Sequence, residues 1–332
     1  MNPMLNKALE SVDTLVGKKT DFFEKGVVET VNTGCASLDR NTGIGGWPRG
    51  EISELSGEES SGKTSLALAA IAMLNAKGEK AVFIDVEGKL DSRYALSLGV
   101  DPNLTVVYTS EQTIERVFEL VALCAESGEY SFIVVDSIAA LTTSADQDNF
   151  DADYVPIIIS QGVKSLTARI EKTSTAVLFL NQLRYEKKRT ATNLRGQNED
   201  EWGLKPYGGM ALRHAYPLRV WIRNKGLINV GDNIIGKNIE LYVSKNSHGP
   251  AYSKSNGKVL NDHGFNCAQD LLLTSGLAGV ITRNKECVLF DGTIIGQNAR
   301  EACQTVRNDP ELYSRIHAKL MEVPLPLTEL PE

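Results

Sequence analysis

The chain has 332 residues, which is enough for one large domain or two ordinary ones. Its apolar fraction of 42% and charged fraction of 23% are typical of a soluble globular protein. The net charge of -7 excludes a strongly basic overall field, so any contact with nucleic acid has to come from local basic groups.

Two further features narrow the class of protein. No stretch reaches the roughly 18 uncharged apolar residues that span a bilayer, and residues 1–10 lack the apolar run of a signal peptide. The five cysteines form no C-x-x-C pair and have no histidine cluster beside them, which indicates buried thiols in a reducing compartment and no structural zinc. We therefore expect a cytoplasmic protein with no membrane partner.

The N-terminal segment precedes the main pattern. Its apolar residues recur close to helical spacing and predict a short amphipathic helix, and residues 27–31 read as a strand. Such an arm packs either on its own domain or on a neighbouring subunit, and the spacing favours neither.

From residue 51 onward, apolar strands alternate with helices. The predicted strands span 52–56, 81–86, 132–136 and 176–181, and the predicted helices span 65–77, 112–126 and 157–172. Because the strands are uninterrupted apolar runs, they predict an α/β fold with a mainly parallel central sheet covered on both faces.

The character of the chain changes after Asn181. Residues 184–206 are polar, charged and without a period, which is typical of a functional or disordered loop. Residues 218–223 and 238–245 alternate as antiparallel strands do. Residues 261–321 have their own apolar pattern, two helices flanking short strands, and a proline-containing tail follows.

One loop carries a phosphate-binding pattern. It lies between a predicted strand and a predicted helix and fits G-x-x-x-x-G-K-[ST] at every fixed position: Gly57, Glu58, Glu59, Ser60, Ser61, Gly62, Lys63 and Thr64. Its glycines allow backbone N–H groups to turn toward phosphate oxygens, and the helix N-terminus adds partial positive charge. In this pattern Lys63 reaches the β- and γ-phosphates of ATP, and the Thr64 hydroxyl binds Mg²⁺.

Two strand ends supply candidate carboxylates. Asp136 ends the strand 132–136, where α/β sheets bind ligands, and is the expected partner of Mg²⁺. Asp85 lies within the strand that starts at residue 81 and Glu87 lies at its end, and either could activate water for ATP hydrolysis. Glu87 is the preferred base, although the residues alone leave Asp85 open.

These segments together resemble the RecA family of DNA recombinases, which includes bacterial RecA and phage-encoded relatives. The matching segments are 57–65, 83–94, 134–141 and 181–184, joined by 33–39, 45–50, 208–213, 295–299 and 308–311. The resemblance implies that Glu87 is the catalytic base and that Asp91 and Tyr94 contact adenine. It also implies that Ser65 continues the phosphate loop, and that Gln182 senses the γ-phosphate and couples it to a DNA-binding loop.

The resemblance covers about residues 30–320 and implies a domain organisation. Residues 1–32 form an N-terminal helix-strand oligomerisation arm, 33–258 a RecA-type P-loop ATPase core, 259–322 a small α+β C-terminal domain, and 323–332 a tail. The implied function is that of a DNA-dependent ATPase, which forms a helical filament on single-stranded DNA and catalyses homologous pairing and strand exchange with double-stranded DNA. Single-strand-binding and mediator proteins are further expected partners.

One departure from the family pattern concerns the neighbour's side of the ATP site. The family has two lysines there in a V-K-N-K pattern, and this chain retains Lys245 but has Ser247 at the second position. Hydrolysis across the interface is then either weaker or assisted by another residue such as His248. The loop after Asn181 is longer than in the family, and the loop at residues 142–156 is shorter. Together with these differences, the divergence suggests a phage or other mobile-element version of the family, acting in the cytoplasm of an infected bacterium.

The DNA-binding residues are assigned by position in the resembling segments and by charge. The candidates are Ser160, Lys164, Arg184, Lys187, Lys188, Arg189, Arg195, Gly208, Gly209 and Arg213. Basic groups neutralise phosphates, and aromatic side chains in the same loop can stack on bases. The alternative is a solvated basic loop, because nearby glutamates and aspartates offset much of the charge.

A second class of function stays open. The chain could be a filament or mediator protein that binds nucleotide and DNA without exchanging strands, and the Ser247 departure favours this alternative. A replicative helicase with the same core would not predict the matches at 208–213 and 295–299.

Overall fold

A computed structural model describes residues 28–109, 113–142, 155–185, 204–206, 215–284 and 287–325. The predicted N-terminal helix lies outside these residues. The predicted strand at 27–31 is present in the structure as the shorter strand Thr30–Val31.

A ten-stranded sheet forms the centre of the molecule, in the order β12-β11-β10-β9-β3-β7-β6-β4-β5, with β8 paired to β7. Its strands are β3 (Ile52–Gly57), β4 (Ala81–Asp85), β5 (Thr105–Thr109), β6 (Phe132–Asp136), β7 (Ala176–Tyr185), β8 (Leu204–Pro206), β9 (Leu218–Val230), β10 (Asn233–Asn246), β11 (Lys254–Leu260) and β12 (Gly264–Phe265). The six strands from β9 to β5 are parallel to one another, and β10 to β12 extend the sheet in antiparallel fashion. Two short strands that precede β3 in the chain, β1 (Thr30–Val31) and β2 (Trp47–Pro48), form a separate antiparallel pair.

Helices cover both faces of the sheet. In chain order the helices of the core are α1 (Ala36–Thr42), α2 (Lys63–Asn75), α3 (Ser92–Ser97), α4 (Ile114–Glu126) and α5 (Val155–Ile170). On one face α2 packs through Leu66 and Ile71 against Phe83 of the sheet. On the other face α4 packs on the sheet, where the rings of Phe118 and Phe179 stack 5.8 Å apart. Apolar side chains on both faces explain why the parallel strands read as uninterrupted apolar runs.

The structure corrects three boundaries. Residues 184–185 and 204–206 belong to paired strands and not to an unstructured loop, because β7 continues to Tyr185 and β8 pairs with it. Residues 186–203 lie outside the described part. The predicted strands at 218–223 and 238–245 are longer in the structure, and together they form one hairpin. The sequence did not predict the tip of the hairpin because both of its faces are exposed, so its residues do not alternate between apolar and polar. The strand β5 and the helix α3 had no counterpart in the sequence-based prediction.

The C-terminal region holds three helices, whereas two were predicted. They are α6 (Cys267–Leu277), α7 (Ala299–Asn308) and α8 (Pro310–Glu322), beside the sheet β13 (Ile281–Arg283), β14 (Val288–Phe290) and β15 (Thr293–Gly296). Asp309 separates the last two helices: its carboxylate accepts the Leu312 N–H at 2.9 Å, and Pro310 starts α8. An N-cap followed by proline ends one helix and begins the next.

Helix α1 connects this region to the core. Arg40 of α1 donates hydrogen bonds to the carbonyl oxygens of Leu320, Val323 and Pro324 at 3.0 to 3.1 Å. His317 lies 2.9 Å from the fully buried carboxylate of Asp39. Val323 and Pro324, the first residues after α8, are therefore held against the core.

Asp270 of α6 is a buried carboxylate in the same contact, where it accepts the Ser37 N–H at 3.0 Å. Burial raises the pKa of Asp270 to about 6; the hydrogen bonds from Ser37 and Cys35 oppose this shift, and the charge of Asp39 adds to it. The folded protein thus holds a proton that the unfolded chain loses near pH 4, so stability falls as the pH rises from about 4 to about 6.

We expect Asp270→Asn to remove this pH dependence, because the amide stays neutral and retains an oxygen for the Ser37 N–H. The stability of the variant relative to wild type should rise by about 2 kcal/mol between pH 4 and pH 6.5. Urea unfolding of both proteins across this range measures the difference. A constant difference at all pH values would contradict a raised pKa.

In the described part of the chain, no helix is long and apolar enough to cross a bilayer.

Candidate nucleotide-binding site

The phosphate loop follows β3 and leads into α2, as the sequence predicts. Gly57 is enclosed: a Cβ atom there would lie 2.6 Å from the Ile222 carbonyl oxygen and 2.5 Å from the Ser61 hydroxyl. Gly62 has a φ of 106°, which favours glycine, and Ser60 has a φ of 56°. The two glycines are thus required by close packing and by backbone conformation, respectively.

Lys63 is buried under this loop. Its amine donates to the carbonyl oxygens of Gly57 at 3.0 Å and Glu58 at 2.8 Å. Burial lowers the pKa of Lys63, and the carboxylates of Asp136 and Glu87 oppose that shift. The amine is therefore a cation held beneath the loop by main-chain oxygens, where it can exchange them for an anion.

Thr64 and Asp136 meet at the other side of the loop. The Thr64 hydroxyl donates to a carboxylate oxygen of Asp136 at 2.7 Å, across 72 residues of sequence. Burial raises the pKa of Asp136, and the hydrogen bond from Thr64 opposes the shift. A hydroxyl and a carboxylate side by side are oxygen donors that suit Mg²⁺.

The structure separates the two candidate bases. The strand β4 ends at Asp85, so the alternation of side chains along a strand does not set the direction of Glu87. Asp85 is buried and accepts the Leu90 N–H at 2.8 Å, which gives it a part in the turn. The Glu87 side chain is 23% exposed, and one of its oxygens is 3.5 Å from the side-chain nitrogen of Gln182.

Two hydrogen-bond donors orient Glu87. The Lys89 amine donates to it at 2.7 Å and the Ser137 hydroxyl at 3.0 Å. The bond from Lys89 lowers the pKa of Glu87 most, the bond from Ser137 lowers it further, and burial acts in the opposite direction. Glu87 therefore stays ionised at neutral pH, as a proton acceptor must. Ser137 and Lys89 were not singled out in the sequence, although Ser137 directly follows Asp136.

The expected adenine-side residues lie along α3. The Asp91 side chain accepts the N–H groups of Arg93 at 2.8 Å and Tyr94 at 3.3 Å, so it caps the helix. The Tyr94 hydroxyl shares a hydrogen bond of 2.8 Å with the Ser65 hydroxyl. Tyr94 is thereby tethered next to the phosphate loop.

A buried ion pair underlies the loop and was not found from the sequence. Glu54 of β3 accepts a hydrogen bond from Arg219 of β9 at 2.7 Å and another from Asn181 of β7 at 2.7 Å. Glu54 is 1% exposed and Arg219 is 6% exposed. Because Asn181 precedes Gln182, this network fixes the part of β7 from which the Gln182 side chain extends.

The expected neighbour-side residues lie at the end of β10. Burial lowers the pKa of Lys245, and the charge of Arg219 lowers it further. The His248 ring nitrogen lies 2.7 Å from the Glu51 carboxylate of its own chain. His248 therefore already has a partner within its own subunit. The Ser247 N–H donates to the Pro217 carbonyl.

Few of the DNA-binding candidates fall in the described residues. Ser160 and Lys164 lie on α5, where Lys164 is exposed, and Arg184 pairs with Lys205 in the β7–β8 ladder. The remaining candidates lie outside the described part of the chain: Lys187, Lys188, Arg189, Arg195, Gly208, Gly209 and Arg213.

The loop and its surroundings fit a nucleoside triphosphate with Mg²⁺. The buried Ser61 hydroxyl has no hydrogen-bond partner among the described residues. Lys63 donates to main-chain oxygens, and no carboxylate lies within ion-pair distance of its amine in the described part. An anion in the cradle would satisfy both groups.

The parallel sheet and the phosphate loop at its carboxyl edge define a P-loop nucleotide-binding protein. A profile of the RecA N-terminal domain matches residues 4–266, and the chain belongs to the RecA family. Protein RecA of Thermus aquaticus is 34% identical over 327 residues, covering 96% of this chain and 93% of the relative. Protein RecA of Xylella fastidiosa strain M12 is 34% identical over 299 residues, covering 89% and 84% of the two chains.

The fold likeness extends to a solved structure, the crystal structure of the RadB recombinase. It superposes with a TM-score of 0.53 at 20% identity and covers 71% of this chain and 98% of that chain. At this identity the likeness concerns the fold. The resemblance inferred from motifs and the predicted α/β fold are confirmed.

Proposed function

We propose that the protein is an ATP-dependent recombinase that forms a helical filament on single-stranded DNA and catalyses homologous pairing and strand exchange. The observation that carries this proposal is the contact between Glu87 and Gln182 beside the phosphate loop. It joins the expected base to a residue of β7, the strand that leads into residues 186–203, which hold four of the DNA-binding candidates. A change at Glu87 can thereby reach that segment.

The proposed roles follow from the donors and acceptors present. Lys63 and the loop N–H groups would hold the phosphates of ATP, while Thr64 and Asp136 would hold Mg²⁺. Bound Mg²⁺ supplies charge neutralisation for phosphoryl transfer to water. Glu87 accepts a proton from the attacking water at its carboxylate, and Lys89 and Ser137 keep that carboxylate in place.

The wider setting follows from family membership and is part of the proposal. The partners are single- and double-stranded DNA and further copies of the same chain, and the place of action is the bacterial cytoplasm. The phage origin, the single-strand-binding and mediator partners, and the division of the chain into four segments stay predictions.

A fluorescence strand-exchange assay tests the proposal. We expect exchanged product with ATP or a slowly hydrolysed analogue, and none from Lys63→Ala, whose loop lacks its buried cation. Absence of product from wild-type protein, with nucleotide and DNA binding demonstrated, would contradict strand exchange. ATP turnover that DNA does not stimulate would then favour the filament or mediator alternative.

A further inference from the structure

A second lysine reaches the phosphate loop from the antiparallel part of the sheet. The Lys237 amine of β10 donates to the main-chain carbonyl oxygen of Ser60, a residue 177 positions away. Ser60 forms the turn of the loop, where its φ is 56°. Lys237 was not a candidate in the sequence, because it lies in a strand with no nucleotide-binding motif.

The backbone of β10 holds Lys237 in this position. The preceding residue, Gly236, is packed so closely that a Cβ atom there would lie 2.4 Å from the Val259 carbonyl oxygen of β11. The Val259 side chain in turn borders the loop: a Cβ atom on Gly62 would lie 3.2 Å from it. The hairpin of β10 and β11 thus packs against the phosphate loop. This packing places the Lys237 amine within reach of the Ser60 carbonyl oxygen.

The charges around the loop leave both lysines without an anion. Lys63 and Lys237 donate to carbonyl oxygens of the same loop, and neither has a carboxylate within ion-pair distance in the described residues. Burial lowers the pKa of both amines, so each is a partly desolvated cation at the same loop. Two partly desolvated cations that share a site are unfavourable unless an anion joins them.

We propose that Lys237 is a second cationic ligand for the phosphate chain of the nucleotide, supplied by the same subunit as the loop. This inference rests on the proposed ATP binding at residues 57–64. A polyphosphate carries enough negative charge for both amines, and each amine can leave its carbonyl oxygen for a phosphate oxygen. Charge-assisted hydrogen bonds of this kind are the strong ones in phosphate sites.

Equilibrium titration of the full chain with fluorescent ATP, ADP and adenosine, with Mg²⁺ and without DNA, tests the proposal. For Lys237→Ala we expect the Kd for ATP and ADP to rise about tenfold, because a hydrogen bond to a charged group is lost. The Kd for adenosine should not change, since adenosine has no phosphate. Lys237→Arg should bind ATP within a few-fold of wild type.

Two further variants make the result specific. Lys237→Gln keeps a donor for the Ser60 carbonyl but no charge, so its ATP affinity should fall as in Lys237→Ala even if the loop keeps its shape. Lys172→Ala removes an exposed lysine after α5 and should leave the affinity unchanged.

Several outcomes would overturn the role of Lys237. The first is that Lys237→Gln binds ATP with wild-type affinity. The second is that a Lys237 variant loses affinity for adenosine as much as for ATP. Both count if Lys63→Ala has lost ATP binding in the same assay. If wild-type protein itself bound no ATP, the proposed function would fail first, so the two failures are distinguishable.

Discussion

Replacing Glu87 by glutamine is expected to lower ATP turnover by about 10²- to 10⁴-fold, the contribution of a positioned general base. The amide has nearly the same shape and still offers an oxygen to the Ser137 hydroxyl, which now donates at 3.0 Å. It cannot accept a proton. The loop, Lys63 and the Thr64–Asp136 pair are untouched, so nucleotide binding should persist.

The measurement is phosphate release with and without single-stranded DNA, together with fluorescence anisotropy of labelled DNA in the presence of ATP. Glu87→Gln should bind DNA in an ATP-dependent manner and turn over little. Glu129→Gln changes an exposed glutamate that pairs with Lys80, and it should leave turnover at the wild-type level. Equal turnover by Glu87→Gln and wild type would remove Glu87 from the mechanism.

Removing Arg219 should destabilise the fold by about 3–5 kcal/mol, because it leaves the Glu54 carboxylate buried without its partner. The pair is 2.7 Å apart, and both side chains are almost fully buried. Chemical unfolding of Arg219→Ala and wild type, followed by circular dichroism, gives the difference in free energy of unfolding.

A surface arginine provides the matched control. Arg169, like Arg219, forms ion pairs, in its case with Glu119 and Glu126, but its side chain is 30% exposed. Arg169→Ala should therefore cost less than about 1 kcal/mol. The double variant Glu54→Gln with Arg219→Met leaves no buried charge at these two positions, and part of the lost stability should return. A loss of under about 1 kcal/mol for Arg219→Ala would show that the ion pair is dispensable.

The local parts of the fold were predictable. The strand 132–136 was predicted to the residue, because a fully buried parallel strand is a continuous apolar run with a sharp end. The helix α2 and the phosphate loop were predictable because glycine spacing and a Lys-Thr pair are local requirements of the cradle. The third C-terminal helix was missed, although the Asp309–Pro310 signal for its start lies in the sequence.

The sequence by itself determined the class of site: a phosphate loop, a strand-ending carboxylate at Asp136 and two candidate bases. The tertiary structure added a physical reason for the preference of Glu87 over Asp85 that the family resemblance implied, since the turn after β4 commits Asp85 to a main-chain N–H. It alone revealed the Glu54–Arg219 pair and the contact of Lys237 with Ser60, which join residues 165 and 177 positions apart. The physical reason is that sheet order places β9 beside β3 and β10 beside β9, and no local pattern records which strands become neighbours.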